Sequence, residues 1–149
     1  MQLRARGQNV PLSWRLTGIA ALEHVTTTDR NSVAIVTGAA NGIGRSIAQL
    51  LASKGFFVGI VDLEEGAVNS VAGELAAEFG VRAVGAVADV SDLEACVEAY
   101  ESIERALGAP CALVNNAGIV VRKKARFEDL PAGHFEEMMS VHVGGTLNW

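Results

Sequence analysis

The chain has two cysteines, three prolines and one tyrosine in 149 residues, and its 12 Lys and Arg fall short of its 17 Asp and Glu. Cys96 and Cys111 show no CxxC spacing and no cluster with histidine, which excludes a disulfide framework and a metal knuckle; the pair suits a reduced, cytoplasmic setting. So few prolines, with half of the residues hydrophobic, fit a compact protein with a real core rather than a low-complexity chain. No apolar run approaches the ~20 residues of a membrane-crossing helix, so no membrane partner is expected. A formal charge of −5 without a basic stripe argues against nucleic acid, because phosphate backbones are bound by clustered Lys and Arg. The local run Arg122-Lys123-Lys124-Ala125-Arg126 reads as a solvated loop face.

Charge is unevenly distributed. Arg4, Arg6, Arg15 and Arg30 face only Glu23 and Asp29 in the first 30 residues, which leaves about −7 on the remainder. Residues 1–31 are expected to be a basic, disordered extension, and residues 32–149 a domain that is incomplete at its C-terminus.

From Ser32 onward, short β-branched runs alternate with longer helical stretches. Strands are expected at Val33 to Thr37, Phe56 to Val61, Val81 to Val87 and Cys111 to Asn115. Helices are expected at Ile43 to Lys54, Glu64 to Phe79 and Ser91 to Leu107, closed by Gly55, Gly80 and Gly108, with Ser91 as the cap of the third. Crossovers of this length mean parallel pairing, so the fold class is α/β: a Rossmann-like doubly wound sheet of order 3-2-1-4. In that order a crevice opens at the carboxyl ends of strands one and four. After strand four, Phe135, Met138, Met139 and Val143 mark an apolar helix face that is expected to stay exposed, as is the outer edge of strand four.

The sequence Thr37-Gly38-Ala39-Ala40-Asn41-Gly42-Ile43-Gly44 joins the first strand to the first helix. An ordinary turn needs one glycine. Three, at spacings of four and two, let the backbone approach a diphosphate, while the first free N–H groups of the helix face its charge. Asp62 ends strand two, where a carboxylate can accept from both hydroxyls of an adenosine ribose and repels a 2′-phosphate; NAD is therefore expected over NADP. The same residue could also cap the next helix.

Together with Asp89-Val90 after strand three and Asn115-Asn116-Ala117-Gly118 after strand four, this pattern resembles the short-chain dehydrogenase/reductase family from Val33 to about Thr146. The resemblance implies cofactor contacts from Thr37, Gly38, Asn41, Gly42, Ile43, Gly44, Asp62, Leu63, Asp89, Val90, Asn116, Ala117 and Gly118. It puts Asp89 toward the adenine with Val90 beside it, and it gives Asn115 the task of tying neighbouring strands. Neither Asn41 nor Leu63 supplies the cation that family members using NADP tend to place there.

The family moves a hydride between nicotinamide and an alcohol or ketone, with a tyrosine and a lysine spaced Tyr-x-x-x-Lys. Here the residue four beyond Tyr100 is Glu104, so Tyr100 reads as a packing residue and no catalytic residue is assigned. A metal site is likewise not expected. Where the family carries Val-Asn-x-x-Gly, this chain has Val141-His142-Val143-Gly144-Gly145, and His142 reads equally as a hydrogen-bonding group or as a helix histidine without chemistry. The cysteines read as small core residues. The expectation is thus the amino-terminal half of an NAD-dependent oxidoreductase acting on a small alcohol or ketone, with a homo-oligomer implied for the complete enzyme. The alternative is a non-catalytic nucleotide-binding or scaffold module.

Overall fold

The computed structural model describes residues 31–120 and 130–149. Asn31 apart, the expected extension lies outside the described residues, as does the basic run from Arg122 to Arg126.

Strands β1 (Val33–Thr37), β2 (Phe57–Asp62), β3 (Ala83–Val87) and β4 (Pro110–Val114) form one parallel sheet in the order β3-β2-β1-β4. Between them run α1 (Gly42–Ser53), α2 (Glu65–Phe79) and α3 (Leu93–Leu107). The expected α/β fold and strand order are both observed, with boundaries displaced by one or two residues.

The helices cover both faces of the sheet. Against one face, Val68, Val71 and Leu75 of α2 and Ala48 and Ala52 of α1 pack with Val36, Val58 and Ile60. Against the other, Ala99, Ile103 and Leu107 of α3 pack with Val33, Ile35 and Val61. β1 is buried at all five positions, as a central parallel strand must be when both of its faces are covered. Each fully buried Ile or Val contributes roughly 1.5–3 kcal/mol over its exposed state.

β4 behaves differently. Cys111 and Leu113 share one face of β4 and are exposed, because α3 packs against β2 and β3 and leaves that face of β4 uncovered. This corrects the reading of Cys111 as a core residue, while Cys96 is buried as expected. Tyr100 is 38% exposed on α3, and its hydroxyl donates to Glu104 Oε1 at 3.3 Å.

The cap of α3 is Asp92, whose Oδ1 accepts from the Glu94 and Ala95 amides at 2.9 and 3.3 Å. Ser91, the expected cap, is occupied: its amide and hydroxyl both donate to Asp89 Oδ1, at 2.9 and 2.7 Å. At the end of the chain, α4 (His134–Met139) runs into a π-helical turn (Ser140–Gly144) and then α5 (Gly145–Asn148). Phe135, Met139 and Val143 are exposed, as the sequence pattern implies, whereas Met138 is half-buried. Among the described residues no helix is long and apolar enough to cross a membrane.

Candidate functional site

The registers Thr37↔Val61 and Asp62↔Val87 bring the carboxyl ends of β1, β2 and β3 level, with β4 ending beside Val36. Every residue of the expected constellation ends or follows one of these strands, so the sheet gathers four separate sequence motifs at one mouth.

Thr37 joins β1 to the end of β4 there. Its buried Oγ1 accepts from the amides of Asn116 and Ala117 at 3.1 and 3.0 Å, and its hydroxyl lies 3.4 Å from the Val114 carbonyl. Asn116 completes the junction, since its Nδ2 donates to the carbonyls of Thr37 and Gly38 at 2.9 and 3.1 Å. The strand tie expected of Asn115 is therefore made by Asn116, and Asn115 is exposed. Successive residues at a strand end point opposite ways, so only one of two adjacent amides can turn toward β1.

The same junction explains two of the three glycines. A Cβ on Gly44 would stand 2.2 Å from the Gly38 carbonyl oxygen and 2.5 Å from Asn116 Nδ2. On Gly38, which has φ +62°, it would stand 2.9 Å from the Ala117 Cα. Gly42 differs: its φ is +54°, and nothing lies within 4 Å of where its Cβ would be. Packing therefore fixes the first and third glycines, and the second opens on free space. The amides of Gly42, Ile43 and Gly44 open α1 and have no carbonyl a turn back to receive them. Ile43 and Leu63, which follow β1 and β2, are exposed.

Asp62 braces the turn from the side. Its Oδ2 accepts the Ala40 amide at 3.0 Å and its Oδ1 accepts the Leu63 amide at 2.8 Å. The cap position of α2 is Glu64, so Asp62 does not serve as that helix's cap. A carboxylate has about four lone-pair directions, which leaves capacity for a hydroxyl-bearing ligand. Arg45, one residue beyond the turn, is engaged by Glu74 of α2 in a close ion pair.

On the far side, Val90 is buried, and its carbonyl accepts from Asn148 Nδ2 at 2.9 Å. The Cys96 thiol lies 3.5 Å from the same oxygen. Burial pushes this thiol up from its ordinary pKa, and the charges of Asp92 and Asp89 add to the rise. His142 Nε2 lies 2.8 Å from the Ile119 carbonyl oxygen, next to Gly118.

A free helix N-terminus, an open glycine and a carboxylate at the neighbouring strand end make a cradle suited to a diphosphate joined to a ribose. A family model described as short chain dehydrogenase matches residues 32–149. The chain belongs to the short-chain dehydrogenase family. It is 44% identical over 114 residues to a probable oxidoreductase, EphD, of Mycobacterium tuberculosis, covering 76% of this chain and 19% of that protein. Among solved structures it resembles L-sorbose reductase from Gluconobacter frateurii, complexed with NADPH and L-sorbose, with a TM-score of 0.73 and 26% identity over 80% of this chain and 44% of that one. It also resembles an alcohol dehydrogenase from the archaeon Thermococcus sibiricus, complexed with 5-hydroxy-NADP, with a TM-score of 0.73 and 32% identity over 78% of this chain and 49% of that one. The chain thus spans about a fifth of the mycobacterial relative and just under half of the two solved ones.

Proposed function

We propose that this chain is the cofactor-binding half of an NAD-dependent short-chain oxidoreductase that moves a hydride between nicotinamide and a small alcohol or ketone. The observation that carries the reading is one turn that combines open space at Gly42, the free amides that begin α1 and the Asp62 carboxylate bonded to Ala40. In this reading Gly38, Asn41, Gly42, Ile43 and Gly44 face the diphosphate through backbone, Asp62 and Leu63 hold the adenosine ribose, Asp89 and Val90 border the adenine, and Asn116, Ala117 and Gly118 border the ribose beyond. Thr37 keeps the mouth in shape.

The preference for NAD is a matter of charge. The two similar solved structures carry NADPH and 5-hydroxy-NADP. In this chain a 2′-phosphate would meet the Asp62 carboxylate, and the nearby Arg45 is already paired with Glu74. Bound nicotinamide would supply the hydride chemistry; the residues present here would hold and orient it and keep the diphosphate neutralised. The 149 residues contain no Tyr-x-x-x-Lys, so turnover is assigned to the longer short-chain architecture. A soluble cytoplasmic protein, homo-oligomeric in its complete form, accords with this reading.

Calorimetric titration of the chain with NAD and NADP tests it. Saturable binding with NAD held more tightly is expected; binding of neither, or tighter binding of NADP, overturns the proposal. The absence of Tyr-x-x-x-Lys also favours a second reading, a non-catalytic nucleotide-binding module. Hydride transfer by the longer protein, followed at the nicotinamide absorbance, separates the two.

A further inference from the structure

β3 ends the sheet on one side, and among the described residues nothing pairs with its outer edge. The bonds to β2 set which of its groups are spare. The Arg82 carbonyl accepts the Val58 amide and the Ala88 amide donates to the Asp62 carbonyl, each at 3.1 Å, so Arg82 and Ala88 turn their backbone toward β2. Backbone direction alternates along a strand, which leaves the N–H and C=O groups of Ala83, Gly85 and Val87 pointing away from the sheet. An open edge of this kind is a template for another extended chain.

The edge lies in a groove between α2 and α3. Glu65 and Asn69 stand on the α2 wall, Glu98 and Ser102 on the α3 wall. A Cβ on Gly85 would stand 2.8 Å from Asn69 Oδ1, so Ala83, Gly85 and Val87 face α2, while Ala86 packs with Ala99 and Ile103 of α3. Val87, 48% exposed, therefore offers apolar surface on the α2 side. Among the described residues neither Glu65 nor Glu98 is in an ion pair.

Within the basic extension, one stretch is patterned to order on such an edge. In residues 10–17, Val10, Leu12, Trp14 and Leu16 alternate with Pro11, Ser13, Arg15 and Thr17, the period of a strand with one apolar face. If the apolar set bonds to β3, Pro11 falls in the set that turns its backbone to solvent, where an edge strand tolerates proline. Residues 1–17 carry Arg4, Arg6 and Arg15 and no acidic side chain, which complements the groove. A second copy of β3 would instead bring two Glu65 and two Glu98 carboxylates to one seam, which like charge opposes. The reach is sufficient. Asn31, whose amide donates to the Gly55 carbonyl at 2.9 Å, enters the sheet at its amino end, and a strand antiparallel to β3 finishes at that same end. Residues 18–30 span up to about 45 Å when extended, against about 14 Å for three strand spacings.

We propose that residues 10–17 dock on the outer edge of β3 as an antiparallel strand. Residues that exchange bonds in an antiparallel pair share a face, so Leu12, Trp14 and their apolar neighbours lie on the α2 side with Val87, and Arg15 falls on the α3 side with Glu98 and Ser102. The added strand closes this edge against pairing with other chains, and it does not depend on the nucleotide-binding reading.

The test is amide-resolved hydrogen exchange on the full 149-residue chain. Gly85 and Val87 should exchange about tenfold or more slowly in the unchanged protein than in Trp14→Pro, which removes a donor on the side facing β3. Ser13→Pro removes a donor on the solvent side and should keep protection within about threefold. Glu98→Arg should reduce protection by about two- to fivefold, and adding Arg15→Glu should restore it. Equal exchange in the unchanged chain and Trp14→Pro, equal losses from the two proline variants, or no rescue by the charge exchange overturns the proposal. Protection that rises with protein concentration and survives Trp14→Pro, with a dimer in sedimentation, assigns the edge to a second copy and overturns it too. Should Trp14→Pro not fold, the charge exchange decides alone, rescue supporting the added strand and its absence overturning it.

Discussion

Asp62 Oδ2 accepts the amide of Ala40 at 3.0 Å, so the carboxylate that ends β2 also holds the turn that follows β1. One side chain thereby sets both the shape and the charge of the mouth. Replacing Asp62 by Ala leaves two amides without their acceptor, with a stability loss of about 1–3 kcal/mol. Chemical denaturation reads the loss, and parallel titrations should show NAD and NADP affinities drawing together. An unchanged preference for NAD would remove Asp62 from the account of specificity.

The glycines separate by mechanism. Gly44→Ala pushes a methyl group into the Gly38 carbonyl and the Asn116 amide, so it should disrupt the turn and lower NAD affinity by more than tenfold. Gly42→Ala meets open space, and its cost to the fold is the positive φ alone, about 1–2 kcal/mol. Thermal unfolding of the two variants side by side should rank Gly44→Ala as clearly the more damaging.

Thr37 carries the inter-strand junction through one hydroxyl. Thr37→Val keeps the size and removes the acceptor of both the Asn116 and Ala117 amides, so a destabilisation of about 2–4 kcal/mol is expected. Thr37→Ser retains the oxygen and should recover most of it. Urea unfolding midpoints of the three proteins check the order.

Cys96 and Cys111 should react differently with a thiol reagent near pH 8. Cys111 is exposed and should be modified in the folded protein, whereas Cys96 is 1% exposed, holds its proton more tightly than usual, and should react only on unfolding. The raised pKa also sets a sign. The folded protein keeps the Cys96 proton to higher pH than the unfolded chain, so stability is intact below the unfolded thiol's pKa of about 8.5 and falls as pH rises through the raised value. Cys96→Ala should flatten that decline.

The fold was legible because its signals are local and repeated: β-branched runs of strand length, helices of crossover length, and Gly80 as a left-handed cap with φ +66°. The glycine turn was legible for the same reason. What failed turned on choices between neighbours. Ser91 and Asp92 are both good caps, and the choice went to Asp92 because Asp89 draws in the Ser91 hydroxyl. Asn115 and Asn116 are chemically identical, and only the pleat decides which one faces β1. Cys111 has the composition of a core residue, and its exposure follows from α3 leaving its face of β4 uncovered. The π turn and the contact of His142 with Ile119 have no local signature; they depend on how the helix meets two loops far away in sequence.

The most direct test of the central claim is an amide-resolved titration of the chain with NAD and, separately, NADP. The account predicts saturable shifts at Gly42, Ile43, Gly44 and Leu63, complete at lower concentrations of NAD than of NADP. Unmoved signals at those four amides, or saturation by NADP first, would contradict it.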